Sequence, residues 1–162
     1  MQKAKATLAM ALLPLLAMLP LQAVHAAPIK VPEEVRQASA ELGSMYNICP
    51  ELLQAMCFKE SSFDPYAENG GCIGVMQIDP EWHGERMERL GVKDLTDTRG
   101  NMLVGADYLS ELAGRYEDIG IVLMAYNGDS SIWDVMDGTA GISRYASEIL
   151  ALSAELERGN GK

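Results

Sequence analysis

Apolar positions recur at helical spacing along most of the chain. After the acidic pair Glu33-Glu34, which suits the first turn of a helix, Val35, Ala38, Leu42 and Met45 fall three or four residues apart. The pattern predicts a helix ending near Tyr46-Asn47. Pro50 then stands where a first helical residue belongs, and Leu53, Met56, Cys57 and Glu60 follow at i, i+3, i+4 and i+7. A carboxylate therefore falls on the apolar stripe of its own helix.

Residues 61–78 break the period. Pro65, Asn69-Gly70-Gly71 and Gly74 predict a folded-back loop or a short β-hairpin there. Asp79-Pro80 reads as the cap and first residue of the next helix, which Gly91 closes. Met102, Ala106, Leu109, Ala113 and Tyr116 mark the longest helix, Ile119, Val122, Leu123 and Tyr126 another, and Ile142, Tyr145, Ile149, Leu152 and Leu156 the last. With no repeat, no low-complexity linker and no long strand, the expected architecture is one mainly α domain.

The first residues differ in kind from the rest. Lys3 and Lys5 precede an apolar run over residues 8–21 and a small-residue close at Val24-His25-Ala26-Ala27, the layout of a secretory signal peptide cleaved after Ala26. An uncleaved membrane anchor is the alternative, but Pro14 and Pro20 interrupt a run already short for a span. Nothing later is apolar for long enough to cross a bilayer, so no stable span is expected once the signal is gone. The expected organisation is a signal peptide over residues 1–26 and one catalytic-sized domain over 27–162.

The whole chain carries 13 Lys+Arg against 23 Asp+Glu, a formal net charge of −10, and loss of Lys3 and Lys5 takes it to −12. That balance makes nucleic acid a poor partner and repels anionic membranes and polyanions over most of the surface, so a substrate must be held by local contacts in a cleft. Three cysteines, Cys49, Cys57 and Cys72, would meet an oxidising compartment, where one disulfide and one free thiol are expected. Cys49 and Cys57 on one helix lie about 12 Å apart, beyond disulfide reach. Cys72 is then a partner in any bridge, with Cys57 preferred and Cys49 the alternative. A zinc site from the cysteines and His83 would lack the usual C-x-x-C pair, so neither metal nor cofactor is expected.

Without His25 the chain keeps one histidine, His83, which reads as a surface or capping residue because no nucleophile signature surrounds it. Carboxylate chemistry remains. Burying Glu60 costs free energy unless it is paired or protonated, and a protonated acid in an apolar pocket is what cleavage of a glycosidic bond requires. The bland alternative is a helix-end glutamate that turns its head into solvent.

Three blocks decide between them. Phe58-Lys59-Glu60-Ser61-Ser62-Phe63-Asp64-Pro65-Tyr66-Ala67, then Gly74-Val75-Met76-Gln77-Ile78-Asp79-Pro80, then Ala125-Tyr126-Asn127-Gly128, resemble in order and spacing the signature blocks of the soluble lytic transglycosylases. Asn101, Gly105, Tyr108-Leu109 and Tyr145-Ala146 fit the same pattern, and the resemblance covers roughly residues 49–150. It implies a lysozyme-like, mostly helical fold that cuts the β-1,4 bond between N-acetylmuramic acid and N-acetylglucosamine. Glu60 would be the single catalytic residue, first acid and then base, and the product a 1,6-anhydromuramoyl end. Closure by the sugar's own C6 hydroxyl accounts for one carboxylate where ordinary glycosidases use two.

The resemblance also implies a substrate-binding set of Ser61, Gly74, Met76, Gln77, Tyr126, Asn127 and Tyr145. All but Tyr145 have a structural alternative: Ser61 and Gln77 as helix-end polar residues, Gly74 as turn geometry, Met76 and Tyr126 as core, Asn127 as a cap. Tyr126 carries a hydroxyl that needs a partner, either Glu60 or a cleft carbonyl. The chain departs from the family at Val75, Asp129, Cys57 and Cys72. A Cys57–Cys72 bridge would staple the catalytic helix to the cleft loop. Two other functions keep the same fold, a water-using muramidase and a non-catalytic peptidoglycan-binding module. Small size suits a local cutter of peptidoglycan strands in the periplasm or outside the cell, with a secretion or conjugation apparatus among its candidate partners.

Overall fold

A computed structural model describes residues 29–162, so the expected signal segment lies outside the described residues. The elements run α1 (Glu33–Tyr46), α2 (Pro50–Ser61), β1 (Glu68–Asn69), β2 (Cys72–Ile73), α3 (Pro80–Leu90), α4 (Thr98–Ala113), α5 (Ile119–Tyr126), α6 (Ile132–Met136) and α7 (Arg144–Gly159). β1 and β2 form an antiparallel hairpin that pairs Glu68 with Ile73 and Asn69 with Cys72.

Local chemistry sets most of these boundaries. Aspartate side chains at Asp79, Asp97 and Asp118 accept from the first free amides of α3, α4 and α5, those of Glu81, Gly100 and Gly120. Amides at a helix start have no partner within the helix, and a capping carboxylate supplies one. Pro50 and Pro80 open α2 and α3, where a missing N–H costs nothing. α1 ends at left-handed Asn47 and α3 at left-handed Gly91, while Ser62 and Phe63 turn the chain left-handed after α2.

Helix α2 is the centre of the molecule. It packs on α1 and α7, α1 packs on α4, and α5 lies between α4 and α7. Leu42, Leu53, Met56, Met102, Leu109, Leu123, Met124 and Ile149 are fully buried between these helices. Each such side chain contributes about 1.5–3 kcal/mol relative to exposure. The methionines bend to fill space between helices that cross at different angles. Because α2 is surrounded, its C-terminal turn, which carries Glu60, is fixed from both sides.

Two polar clusters also join helices. Glu51 in the first turn of α2 is almost completely buried and takes hydrogen bonds from Lys162 Nζ at 2.7 Å and Asn160 Nδ2 at 2.9 Å, at the far end of α7. Between α3 and α4, Arg86 bridges Asp107 and Glu111, and Arg89 joins Asp107 at 2.7 Å.

Three local details differ from the sequence expectation. Tyr116 lies beyond the end of α4, which closes at Ala113, and α4 shares its 16-residue length with α7. Ile142 precedes α7 and instead packs on Gly120, where a Cβ would meet Ile142 Cγ2 at 2.6 Å. The short helix α6, five residues long, is less than two turns and leaves no readable period.

Candidate active site

Glu60 sits on the last turn of α2, half-buried, where α7 crosses α2. That crossing brings Tyr145 of α7 to it, and the Tyr145 hydroxyl donates to Glu60 Oε1. Burial pushes the Glu60 carboxyl above its ordinary range, against the opposing pull of the Tyr145 hydrogen bond and the Lys59 charge. Burial, together with the negative charge of Glu60, also holds Tyr145 far into its protonated form, so Tyr145 acts as donor and not as base.

Glu60 opens into a recess of about 200 Å³ shared with Asn69, Cys72, Gln77, Tyr126 and Asn127. The recess continues into a larger cleft of about 510 Å³ between α3, Tyr108 in the C-terminal half of α4, and the end of α5. Three of the residues expected at the site from sequence, Gln77, Tyr126 and Asn127, therefore meet Glu60 at one surface, and Tyr145 joins them through its hydrogen bond.

The loop after the hairpin forms the recess wall, and its geometry is tightly constrained. Ile73 and Ile78 exchange backbone hydrogen bonds at 2.9 Å, closing a four-residue turn over Gly74, Val75, Met76 and Gln77. Gly74 adopts φ +80°, and a Cβ there would lie 2.3 Å from Asn101 Nδ2 and 2.4 Å from the Leu95 carbonyl. Asn101 is fully buried; its amide donates to the carbonyls of Ile73 and Leu95 at 2.8 and 2.9 Å, and its oxygen accepts from the Met76 amide at 2.8 Å. Gln77 closes the turn at φ +48°, and its Nε2 donates to the carbonyls of Ala67 and Gly74 at 3.1 and 3.0 Å. Its amide nitrogen is thus committed to the loop, while the residue lines the recess.

The other expected site residues lie behind this wall. Met76 is completely buried against Gly105, where a Cβ would lie 2.6 Å from its sulfur. Its carbonyl accepts from the Tyr126 hydroxyl at 3.0 Å, so of the two partners open to Tyr126 the cleft carbonyl is the one realised. Ser61 Oγ lies 3.1 Å from the Cys57 carbonyl and 3.0 Å from that of Val75, tying the end of α2 to the same loop. Gly74 is buried beneath the turn. Ser61, Gly74 and Met76 shape the recess without lining it.

The expected Cys57–Cys72 disulfide is absent, and all three cysteines are free thiols. Cys57 points into the core and is fully buried, whereas Cys72 sits in β2 and lines the cleft. Burial, reinforced by the nearby Glu60 charge, pushes the Cys57 thiol up, and a buried protonated thiol is a poor partner for disulfide exchange.

His83 is not the surface residue expected. It is half-buried in the cleft with its ring 4.6 Å from that of Tyr108, and burial, aided by the Arg86 charge, lowers its pKa so that it favours the neutral form. Trp82, Arg86 and Tyr108 stand in the same cleft. Their placement depends on how α3 lies on α4, a long-range contact that leaves no local sequence pattern. Tyr108, as part of the family pattern on the long helix, is the one of them with a signal in the sequence. Among the described residues no group of three His, Cys, Asp or Glu side chains is arranged to hold a metal.

Comparison with known proteins adds an independent line. The family described as the transglycosylase SLT domain matches residues 37–141. A "Transglycosylase" of Enterobacteria phage PRD1 is 34% identical over 61% of this chain and 35% of its own length. The "Membrane-bound lytic murein transglycosylase E" of Buchnera aphidicola is 28% identical over 57% of this chain and 49% of its own. The chain thus spans about a third to a half of these relatives. In structure, an inactive mutant of lytic transglycosylase Slt from Pseudomonas aeruginosa superposes with a TM-score of 0.67 at 19% identity, over 80% of this chain and 25% of that one. That likeness establishes a shared fold.

Proposed function

The chain belongs to the transglycosylase SLT domain family, and from that premise we propose that it is a peptidoglycan lytic transglycosylase with Glu60 as its catalytic acid and base. The substrate is the β-1,4 bond between N-acetylmuramic acid and N-acetylglucosamine. Protonated Glu60 delivers its proton to the glycosidic oxygen as the bond from that oxygen to C1 of the muramoyl sugar breaks. The C6 hydroxyl of the same sugar then bonds to C1 and returns its proton to Glu60. The products are a free N-acetylglucosamine 4-hydroxyl and a 1,6-anhydromuramoyl end, with no water consumed.

The observation that carries this reading is that, among the described residues, Glu60 is the one carboxylate lining its recess. Hydrolytic glycosidases place two carboxyl groups across the scissile bond at defined separations. Asp79, in the adjoining cleft, is engaged as the cap of α3 through the Glu81 amide at 2.8 Å. A single acid that must both give and take a proton suits intramolecular closure, and burial raises its pKa, which favours the protonated form that the first step uses. Tyr145 orients the carboxyl, Gln77 offers an acceptor to the sugar, and the Asn101-braced turn keeps the wall rigid.

We place the enzyme in the cell envelope, on the strength of the signal-like residues 1–26 and of relatives named as membrane-bound murein transglycosylases. A secretion or conjugation apparatus is a candidate partner for local wall opening. Digestion of purified peptidoglycan followed by mass spectrometry of the released muropeptides tests the reaction. Products lighter by one water, with anhydromuramoyl ends, are expected. Reducing muramic ends would identify hydrolysis instead, and no release from folded protein would identify a binding module.

A further inference from the structure

We infer that Trp82 is a stacking platform for a neutral N-acetylglucosamine-type ring of the glycan, held several ångströms beyond the sugars that react at Glu60. The inference rests on the proposed reading of the site as a glycan-cleaving cleft. The recess at Glu60, about 200 Å³, is smaller than the usual range for a ligand pocket, so a bound strand must extend beyond it. The adjoining cleft of about 510 Å³ shares Cys72, Gln77, Tyr126 and Asn127 with the recess, so the two form one continuous groove.

Aromatic rings follow that groove outward. Tyr126 stands 5.4 Å from Tyr108, and Tyr108 stands 4.6 Å from His83, with ring planes tilted in both pairs. Trp82, next to His83 in sequence on α3, lines the same groove. It is nonetheless 84% exposed. An indole held open to water on a helix start contributes nothing to the core, whereas its face matches the apolar C–H face of a pyranose.

Charge selects the type of ring. The peptide stems of muramic acid carry carboxylates and would require a free cation. Among the described residues, Arg86 is the Arg or Lys lining this groove, and it is already bridged to Asp107 and Glu111, while Asp79 adds an acid. His83 is held toward its neutral form. A groove with that balance favours a neutral sugar over a charged stem.

Calorimetric titration of chitotetraose into the Glu60→Gln protein tests this. Binding is expected, weakened about two- to tenfold by adding Trp82→Ala and restored to within about twofold by Trp82→Tyr, the size of one aromatic contact. Melting temperature should not move in either variant, because the side chain is exposed. Trp133, 63% exposed on α6, supplies the control: Trp133→Ala should leave affinity unchanged. In the active protein, Trp82→Ala should lower kcat/KM on purified peptidoglycan by a similar factor. Absence of chitotetraose binding, or an affinity that Trp82→Ala leaves unaltered, overturns the inference. If wild-type protein cleaves murein while Trp82→Ala changes nothing, the stacking role falls and the proposed function stands. If wild-type protein releases no product, the proposed function is what fails.

Discussion

Tyr145 and Glu60, 85 positions apart in sequence, share a hydrogen bond across the contact of α7 with α2. The bond fixes the carboxyl that the proposed reaction uses and opposes the effect of burial on its protonation. One phenol therefore sets both where the acid points and the pH at which it loses its proton.

Tyr145→Phe separates these effects. Misorienting the acid should lower kcat by at least about tenfold, while stability falls by no more than about 1.5 kcal/mol because ring packing is kept. The lost hydrogen bond favoured the charged form, so its removal moves the Glu60 pKa further up. The alkaline limb of the kcat/KM profile should then shift to higher pH even as the maximum falls. A profile lowered without any shift would show that the hydroxyl does not touch the titration of Glu60.

Glu60→Gln should abolish turnover, since an amide cannot carry the proton, with a loss of at least about 10²- to 10⁴-fold. The same change should raise stability near neutral pH. A carboxyl whose folded pKa is raised is tolerated fully below its unfolded value of 4.5 and costs stability as pH rises from there through the folded value. The melting temperature of Glu60→Gln should thus exceed that of wild type at neutral pH, and the gap should close below about pH 4. An active Glu60→Gln protein removes Glu60 from the mechanism.

Much of this site is legible in the sequence because it depends on local rules. Glu60 is legible from the stripe of Leu53, Met56 and Cys57, all three fully buried. The start of α2 follows from Pro50, and both boundaries of α3 follow from Asp79-Pro80 and Gly91. Which tyrosine meets Glu60 is not local. Tyr126 and Tyr145 both fall on apolar stripes, and only the crossing of α7 on α2 decides that Tyr145 reaches the carboxyl while Tyr126 reaches Met76. The cysteines show the same limit: helix spacing excludes Cys49 with Cys57, but the burial of Cys57 away from the hairpin is a matter of packing.

Asn101→Ala should destabilise the fold by at least about 2 kcal/mol. It leaves the Met76 amide and the carbonyls of Ile73 and Leu95 without the partner that now satisfies them, in a place water does not reach. The turn carrying Gln77 would loosen as well, so activity below the melting transition should fall with it. Urea unfolding with a midpoint equal to wild type would show that the turn is held elsewhere.

Glu51 gives the protein a specific sensitivity to acid. Burial pushes its carboxyl up, but hydrogen bonds from Lys162, Asn160 and the Cys49 thiol outweigh burial and hold it at about 2. With an ordinary value of 4.5 in the unfolded chain, the depressed pKa contributes about 3 kcal/mol, present above pH 4.5 and lost as pH falls toward 2. Glu51→Gln keeps the shape and an acceptor but removes the titration, leaving Lys162, which is half-exposed, free to turn into water. At neutral pH the variant should be less stable by roughly 2–3 kcal/mol, because the lost pair joins the first turn of α2 to the end of α7. As pH falls, wild type should lose that advantage and the two unfolding free energies should converge near pH 2. Other paired carboxylates, Asp107 and Glu148 among them, titrate alike in both proteins and cancel in the difference. Urea titrations of the two proteins across this range supply the measurement, and a stability difference that stays constant from pH 6 to about pH 2 would show that Glu51 holds α7 by shape alone.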